Sequence, residues 1–173
     1  MPRATQLDMP SNSAPILDRD QLASEVSRLR SLGSTIVLAN GCFDLVHVGH
    51  VRYLAGAKAL GDVLVAAINS DRQASALKGE GRPFMPELER AEIVSAIRSV
   101  DLVTIFDEPT VEELIRSIRP DIHAKGTDYT TDTVPERHVV RECGGRVAIV
   151  GDPKDHSSTG LIDLVSRGGS GRS

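Results

Sequence analysis

The stretch TIVLANGCFDLVHVGH, residues 35–50, decides the fold. Thr35 to Asn40 is a short β-branched, apolar run, the pattern of a strand buried on both faces. Gly41 permits a tight turn without a Cβ. Val48, Val51, Leu54, Ala55 and Lys58 then fall at helical spacing up to Gly61, which predicts a helix over 47–61. A strand, a glycine-bearing loop and a helix form the first half of a βαβ unit.

The alternation continues outward from this unit. Leu22, Val26 and Leu29 predict a helix before it, stopped by Gly33. After it come strands at 62–68, 101–106, 121–125 and 146–150. Between them lie helices at 86–100 (Ile93, Val94 and Ile97 on one side), 110–119 (capped by Thr110, stopped before Pro120) and 134–143. A closing helix covers 159–167, and the polar stretch with Gly79, Gly81 and Pro83 reads as a loop. Strands separated by helices imply right-handed crossovers and a parallel sheet. The expectation is a three-layer, doubly wound, Rossmann-like α/β domain with five parallel strands. Ligands of such folds sit past the carboxyl ends of the strands, where the strand order reverses. Those ends are polar or glycine-bearing here: 40–44, 69–71, 106–107, 125–128 and 151–152.

The loop after the first strand carries His47-Val48-Gly49-His50 at a helix start. Free N–H groups and the dipole at a helix N-terminus attract phosphate. Two histidines three residues apart share one side of the first turn. Gly49 leaves room for a bulky ligand, and imidazole N–H groups so placed stabilise charge growing on a phosphoryl oxygen. An isolated HxxH pair is more often chance or a metal site. Its place in this unit favours phosphate over zinc.

GCFDLVHVGH resembles the signature of the cytidylyltransferase-like, HxGH family of nucleotidyltransferases, which transfer a nucleotidyl group from a nucleoside triphosphate and release pyrophosphate. The resemblance spans roughly residues 34–166. His156-Ser157-Ser158-Thr159 occupies the place of the family's I-S-T-T-like motif before the last helix. Residues 40–50, Leu77 to Pro83, Glu89-Arg90 and Lys125 to Tyr129 are most similar to the heptose 1-phosphate adenylyltransferases. That group makes activated heptose for cell-surface glycans such as lipopolysaccharide. A sugar kinase domain often precedes it; 173 residues leave no room for one, so the chain resembles the standalone form.

The resemblance implies sheet order 3-2-1-4-5, ATP with Mg²⁺, a heptose 1-phosphate acceptor and a homodimer. It implies catalytic roles for His47, His50 and Lys78, the last in a mobile glycine-rich lid. Gly41, Cys42, Phe43, Asp44, Gly49, Lys125, Gly126, Asp128, Ser157, Ser158 and Thr159 would contact the nucleotide. Asp44 would do so by fixing the loop or a histidine, since a carboxylate facing phosphates repels them. Asn69, Asp71 and Arg90 would meet the acceptor, Arg90 as a phosphate clamp. No metal ligand is assigned. CTP with glycerol 3-phosphate or a similar polyol phosphate is the alternative, though Asp152-Pro153-Lys154-Asp155 departs from that subgroup. Adenylyl transfer to a mononucleotide and a binding module without turnover are more distant readings.

Composition agrees with a single globular domain. The chain is 40% hydrophobic and 25% charged, with net charge −4 and pI about 5.7. An acidic balance and 3% aromatic content disfavour nucleic-acid binding. No apolar run reaches membrane-spanning length, and no secretory leader is evident at the start. Cys42 and Cys143 cannot build a disulfide framework, so a cytoplasmic location is expected. Both should pack as small residues, and His123 and His138 should serve the core or surface. Residues 1–15, with three prolines, read as a disordered or loosely docked arm. The domain covers 16–167, and 168–173 reads as a flexible tail.

Overall fold

The computed structural model describes residues 12–153. Five parallel strands are ordered β3-β2-β1-β4-β5: β1 Ile36–Gly41, β2 Val63–Asn69, β3 Leu102–Phe106, β4 Ile122–Lys125 and β5 Arg146–Ile149. The expected strands and the order 3-2-1-4-5 are present. Six helices accompany them among the described residues: α1 Arg19–Ser31, α2 Val48–Lys58, α3 Asp71–Lys78, α4 Glu87–Ser95, α5 Glu112–Ile118 and α6 Arg137–Glu142.

Alternate side chains of each strand feed two cores. Val37, Ala39, Leu64, Ala66 and Val103 pack with Leu54 and Ala57 of α2 and Ala91 and Val94 of α4. Ile36, Leu38, Val63, Val65 and Leu102 pack with Leu22 and Val26 of α1, with α5 and with α6. Covering both faces removes the need for polar alternation, which is why the strands read as continuous apolar runs. β1 pairs with β2 on one side and β4 on the other, so the order reverses at the β1–β4 seam. Leu38 lies opposite His123 and Ala39 opposite Ala124, which carries Asn40 and Lys125 out of the sheet side by side.

Several expected local features differ. The polar stretch after β2 contains a helix, α3, capped by the Ser70 hydroxyl, which accepts from the Gln73 N–H. Lys78 therefore ends a helix; Gly79 (φ +95°) and Gly81 (φ +78°) begin the loop behind it. Thr110 does not cap α5, whose cap residue is Val111 without a side-chain bond. Arg119 turns left-handed (φ 47°) and ends α5 before Pro120. On α4 the buried face is Arg90, Ala91, Val94 and Ser95, while Ile93 is exposed. Val48 and Val51 of α2 are exposed too. Ala14, within the segment read as an arm, is buried and donates its N–H to the Ser95 carbonyl. Residues 1–11, the tail and the closing helix lie outside the described residues.

Candidate active site

The loop after β1 is built around two buried side chains. Phe43 takes a left-handed backbone (φ 50°) that turns its ring inward over Gly41. A Cβ on Gly41 would meet that ring at 3.3 Å. Asp44 is 3% exposed. It accepts from Arg82 Nε at 2.6 Å and from the N–H groups of Phe84 and Met85 at 2.8 and 3.2 Å. Asp44 thus ties the glycine-rich loop to the β1–α2 loop, a fixing role of the kind expected, and its carboxylate faces its own protein's donors.

His47 and His50 cap α2 reciprocally. His47 Nδ1 accepts the Gly49 N–H at 3.1 Å, and His50 Nδ1 accepts the His47 N–H at 3.3 Å. An accepting Nδ1 carries no proton, so each neutral ring holds its proton on Nε2. The backbone therefore fixes both tautomers, with each ring's proton on Nε2 and the ring centroids 4.1 Å apart. Burial, the His47 ring and Lys78 push the His50 pKa down to about 4, so this ring is neutral near pH 7.

An open cleft of about 430 Å³ lies over the strand ends, lined by Asn40, Gly41, Cys42, Tyr53, Asn69, Leu77, Lys78, Lys125, Gly126, Asp128 and Tyr129. Its floor is a fixed polar group. Asn40 Oδ1 lies 3.0 Å from His123 Nε2 and 3.3 Å from Lys125 Nζ. An ammonium only donates, so the amide oxygen faces it and His123 bonds through an Nε2–H. Burial, then the Lys125 charge, lowers the His123 pKa to about 3, which keeps the ring neutral. Lys125 Nζ stands 4.9 Å from the Tyr129 ring centroid and 3.8 Å from Glu136 Oε2. Burial lowers the Lys125 pKa while Glu136 raises it. The Tyr53 hydroxyl donates to the Ala124 carbonyl and holds α2 against β4. Burial raises the Cys42 pKa, opposed by Lys78 and Arg90, so the thiol stays protonated.

The structure brings seven of the expected site residues together at one cleft. Gly41, Cys42, Asn69, Lys78, Lys125, Gly126 and Asp128 line the cleft. His47, Gly49 and His50 stand at the α2 start and are not part of that lining, though the Lys78 charge helps to lower the His50 pKa. Arg90 does not fit an acceptor clamp. It is 0% exposed and donates Nε to the Met85 carbonyl at 3.0 Å, and Nη1 to the Cys42 and Asn69 carbonyls at 2.6 and 2.8 Å. Its Nη2 pairs with Asp71 at 2.7 Å, so Asp71 is likewise committed to this inner bracket and absent from the cleft lining. Cation and pair knit the ends of β1 and β2 to α4. Ser157, Ser158 and Thr159 lie outside the described residues. Asn40, Tyr53, Leu77 and Tyr129 also line the cleft, and His123 supports it, none having been singled out for it from the sequence. The signals available were the end position of Asn40 on β1 and the place of Asn40, Leu77 and Tyr129 in the stretches that carry the family resemblance.

Among the described residues, no group of three or more His, Cys, Asp or Glu side chains could hold a metal ion. With Asp44 committed to Arg82 and two backbone donors, that loop offers no carboxylate for a protein-held cation. No described helix is long and apolar enough to cross a membrane.

Comparison with known proteins follows the same lines. The family described as cytidylyltransferase-like matches residues 38–163. Bifunctional protein HldE of Geobacter metallireducens is 46% identical over 156 residues, 90% of this chain and 32% of that protein. Its counterpart in Desulfatibacillum aliphaticivorans is 44% identical over 148 residues, 86% of this chain and 30% of that protein. The chain thus spans about a third of the length of these curated relatives. The crystal structure of the lipopolysaccharide core biosynthesis protein from Thermoplasma volcanium GSS1 superposes with TM-score 0.57 at 30% identity, over 68% of this chain and 94% of that one. Pantoate-beta-alanine ligase from Francisella tularensis shares the fold, with TM-score 0.61 at 15% identity, over 90% of this chain and 77% of that one.

Proposed function

The chain belongs to the cytidylyltransferase-like family, and from that premise we propose that it is an adenylyltransferase joining ATP to a heptose 1-phosphate, with release of pyrophosphate. The observation that carries the reading is the reciprocal His47–His50 cap at the α2 start, which puts each ring proton on Nε2, together with a cleft that holds a buried lysine. The HldE relatives and the lipopolysaccharide core biosynthesis neighbour support the heptose acceptor.

In the proposed reaction an oxygen of the acceptor phosphate attacks the α-phosphorus of ATP in line. A P–O bond forms there while the bond from the α-phosphorus to the α,β-bridging oxygen breaks, and pyrophosphate leaves. The nucleophile is already anionic, so no general base or covalent enzyme intermediate is needed. Catalysis is positioning and charge stabilisation. His47 and His50 donate to phosphate oxygens, and as neutral donors they strengthen as charge grows in the transition state. Lys78, beside two glycines of positive φ, reaches over the phosphates. Lys125 contacts the nucleotide at the cleft floor. Gly126, where a Cβ would meet nothing within 4 Å, leaves the nucleotide close access to the backbone, with Asp128 beside it. Mg²⁺ bound to the triphosphate would offset its charge, held by phosphate oxygens and water rather than by a cluster of the described side chains.

The test is pyrophosphate release by purified protein with Mg²⁺, each of four nucleoside triphosphates and a panel of phosphates: heptose 1-phosphates, glycerol 3-phosphate and nicotinamide mononucleotide. Release confined to ATP with a heptose 1-phosphate is expected. Release with CTP and glycerol 3-phosphate would move the protein to a different substrate class, and triphosphate binding without release for any pair would point to a binding module.

A further inference from the structure

A second cavity of about 230 Å³ adjoins the cleft and shares Asn40, Asn69, Leu77, Lys125 and Tyr129 with it. Its own walls are mainly apolar, from Phe106, Pro109, Val111 and Pro135. Into this recess comes Glu136, the residue before α6. Glu136 is 7% exposed, and its Oε2 has no hydrogen-bond partner. Lys125 Nζ, 3.8 Å away, supplies charge balance at a distance too long for a hydrogen bond. A buried carboxylate oxygen without a donor is costly unless a ligand supplies one.

The chemistry of the recess restricts that ligand. A phosphate would be repelled by Glu136, and a cation would compete with Lys125. A neutral hydroxyl donates to the carboxylate and leaves the Lys125 balance intact. Apolar walls suit the C–H faces of a sugar or polyol. We propose that Glu136 reads the hydroxyls of the acceptor: its polyhydroxylated body fills the recess with a hydroxyl on Oε2, and its phosphate stays in the larger cleft, clear of Glu136. This rests on the nucleotidyltransferase reading above and adds a specificity-determining residue to it.

The test compares wild type, Glu136→Gln and Glu136→Ala with ATP and Mg²⁺. Acceptors are a heptose 1-phosphate, glycerol 3-phosphate and ethyl phosphate, which has a phosphate but no hydroxyl. The expected result is a preference, in kcat/KM, for the best hydroxylated acceptor over ethyl phosphate that shrinks about 10- to 100-fold in Glu136→Ala. Most of the loss should appear in acceptor KM, with a smaller loss in the isosteric Glu136→Gln. ATP affinity by calorimetry should match in all three proteins, which shows that each is folded. An unchanged preference in a variant that binds ATP and turns over would overturn the role of Glu136 alone. Absence of pyrophosphate release by wild type with every acceptor would overturn the reaction itself.

Discussion

Replacing Arg90 by methionine separates an internal bracket from a substrate clamp. Methionine keeps much of the volume, so the main loss is hydrogen bonding. Three main-chain carbonyls, of Met85, Cys42 and Asn69, would lose a charged donor. The bond to Asn69 is fully buried, and hydrogen bonds to charged groups contribute about 1.5–3 kcal/mol. The other two are partly buried and recover some hydration, so about 1 kcal/mol each is reasonable. Asp71 is 46% exposed, and its ion pair adds little. The expected loss is about 4 kcal/mol. For a domain of this size that lowers Tm by roughly 8–16 °C. Differential scanning calorimetry on ligand-free protein reads this directly. Arg90→Lys should fall between, because an ammonium cannot span both carbonyls as the guanidinium fork does. A variant within about 1 kcal/mol of wild type whose acceptor KM has risen sharply would refute the bracket and restore the clamp.

Four further outcomes are expected. The folded pKa values of His50 (about 4) and His123 (about 3) lie below the ordinary 6.5, so the unfolded chain binds protons more readily. Their contribution is complete above pH 6.5 and fades as pH falls toward 4 and then 3; imidazole NMR titrations with midpoints near 6.5 would contradict this. Lys78→Ala should bind ATP within about threefold of wild type yet lose roughly 100-fold in kcat, and a matching loss of ATP affinity would make the lysine a ground-state binder. Gly126→Ala should leave Tm unchanged and raise ATP KM, and unchanged kinetics would remove the nucleotide from that strand end. Gly145→Ala places a Cβ against the Pro120 carbonyl oxygen and should destabilise the protein by about 1–3 kcal/mol in urea titrations, whereas wild-type stability would mean the β4–β5 edge yields easily.

The sequence carried the sheet because its strands are apolar on both faces, a pattern that survives without any knowledge of packing. The helix start at His47 was legible for the same local reason, since capping depends on residues within one turn. Arg90 was read as a phosphate clamp from the resemblance, because spacing along α4 gives no sign that a cation is buried there. Only the packing of α4 under the ends of β1 and β2 reveals a buried cation there. Helix α3 escaped notice because it is short and polar. It is held by the Ser70 cap and by Gln73 reaching the Asp107 carbonyl across the sheet end, the latter a contact between residues 34 apart. Asn40 and Glu136 belong to no pattern of spacing. They matter because parallel pairing of β1 with β4 sets Asn40 beside Lys125, and because α6 begins where Glu136 can reach the same ammonium.

The account depends most on the two imidazole donors acting in the transition state. The direct measurement is His50→Ala, comparing single-turnover rates with ATP and the heptose 1-phosphate against equilibrium ATP affinity. Loss of about 100- to 1,000-fold in rate, with ATP affinity within about threefold of wild type, is the predicted result. A rate within about threefold of wild type, or a loss of ATP affinity as large as the loss of rate, would contradict it.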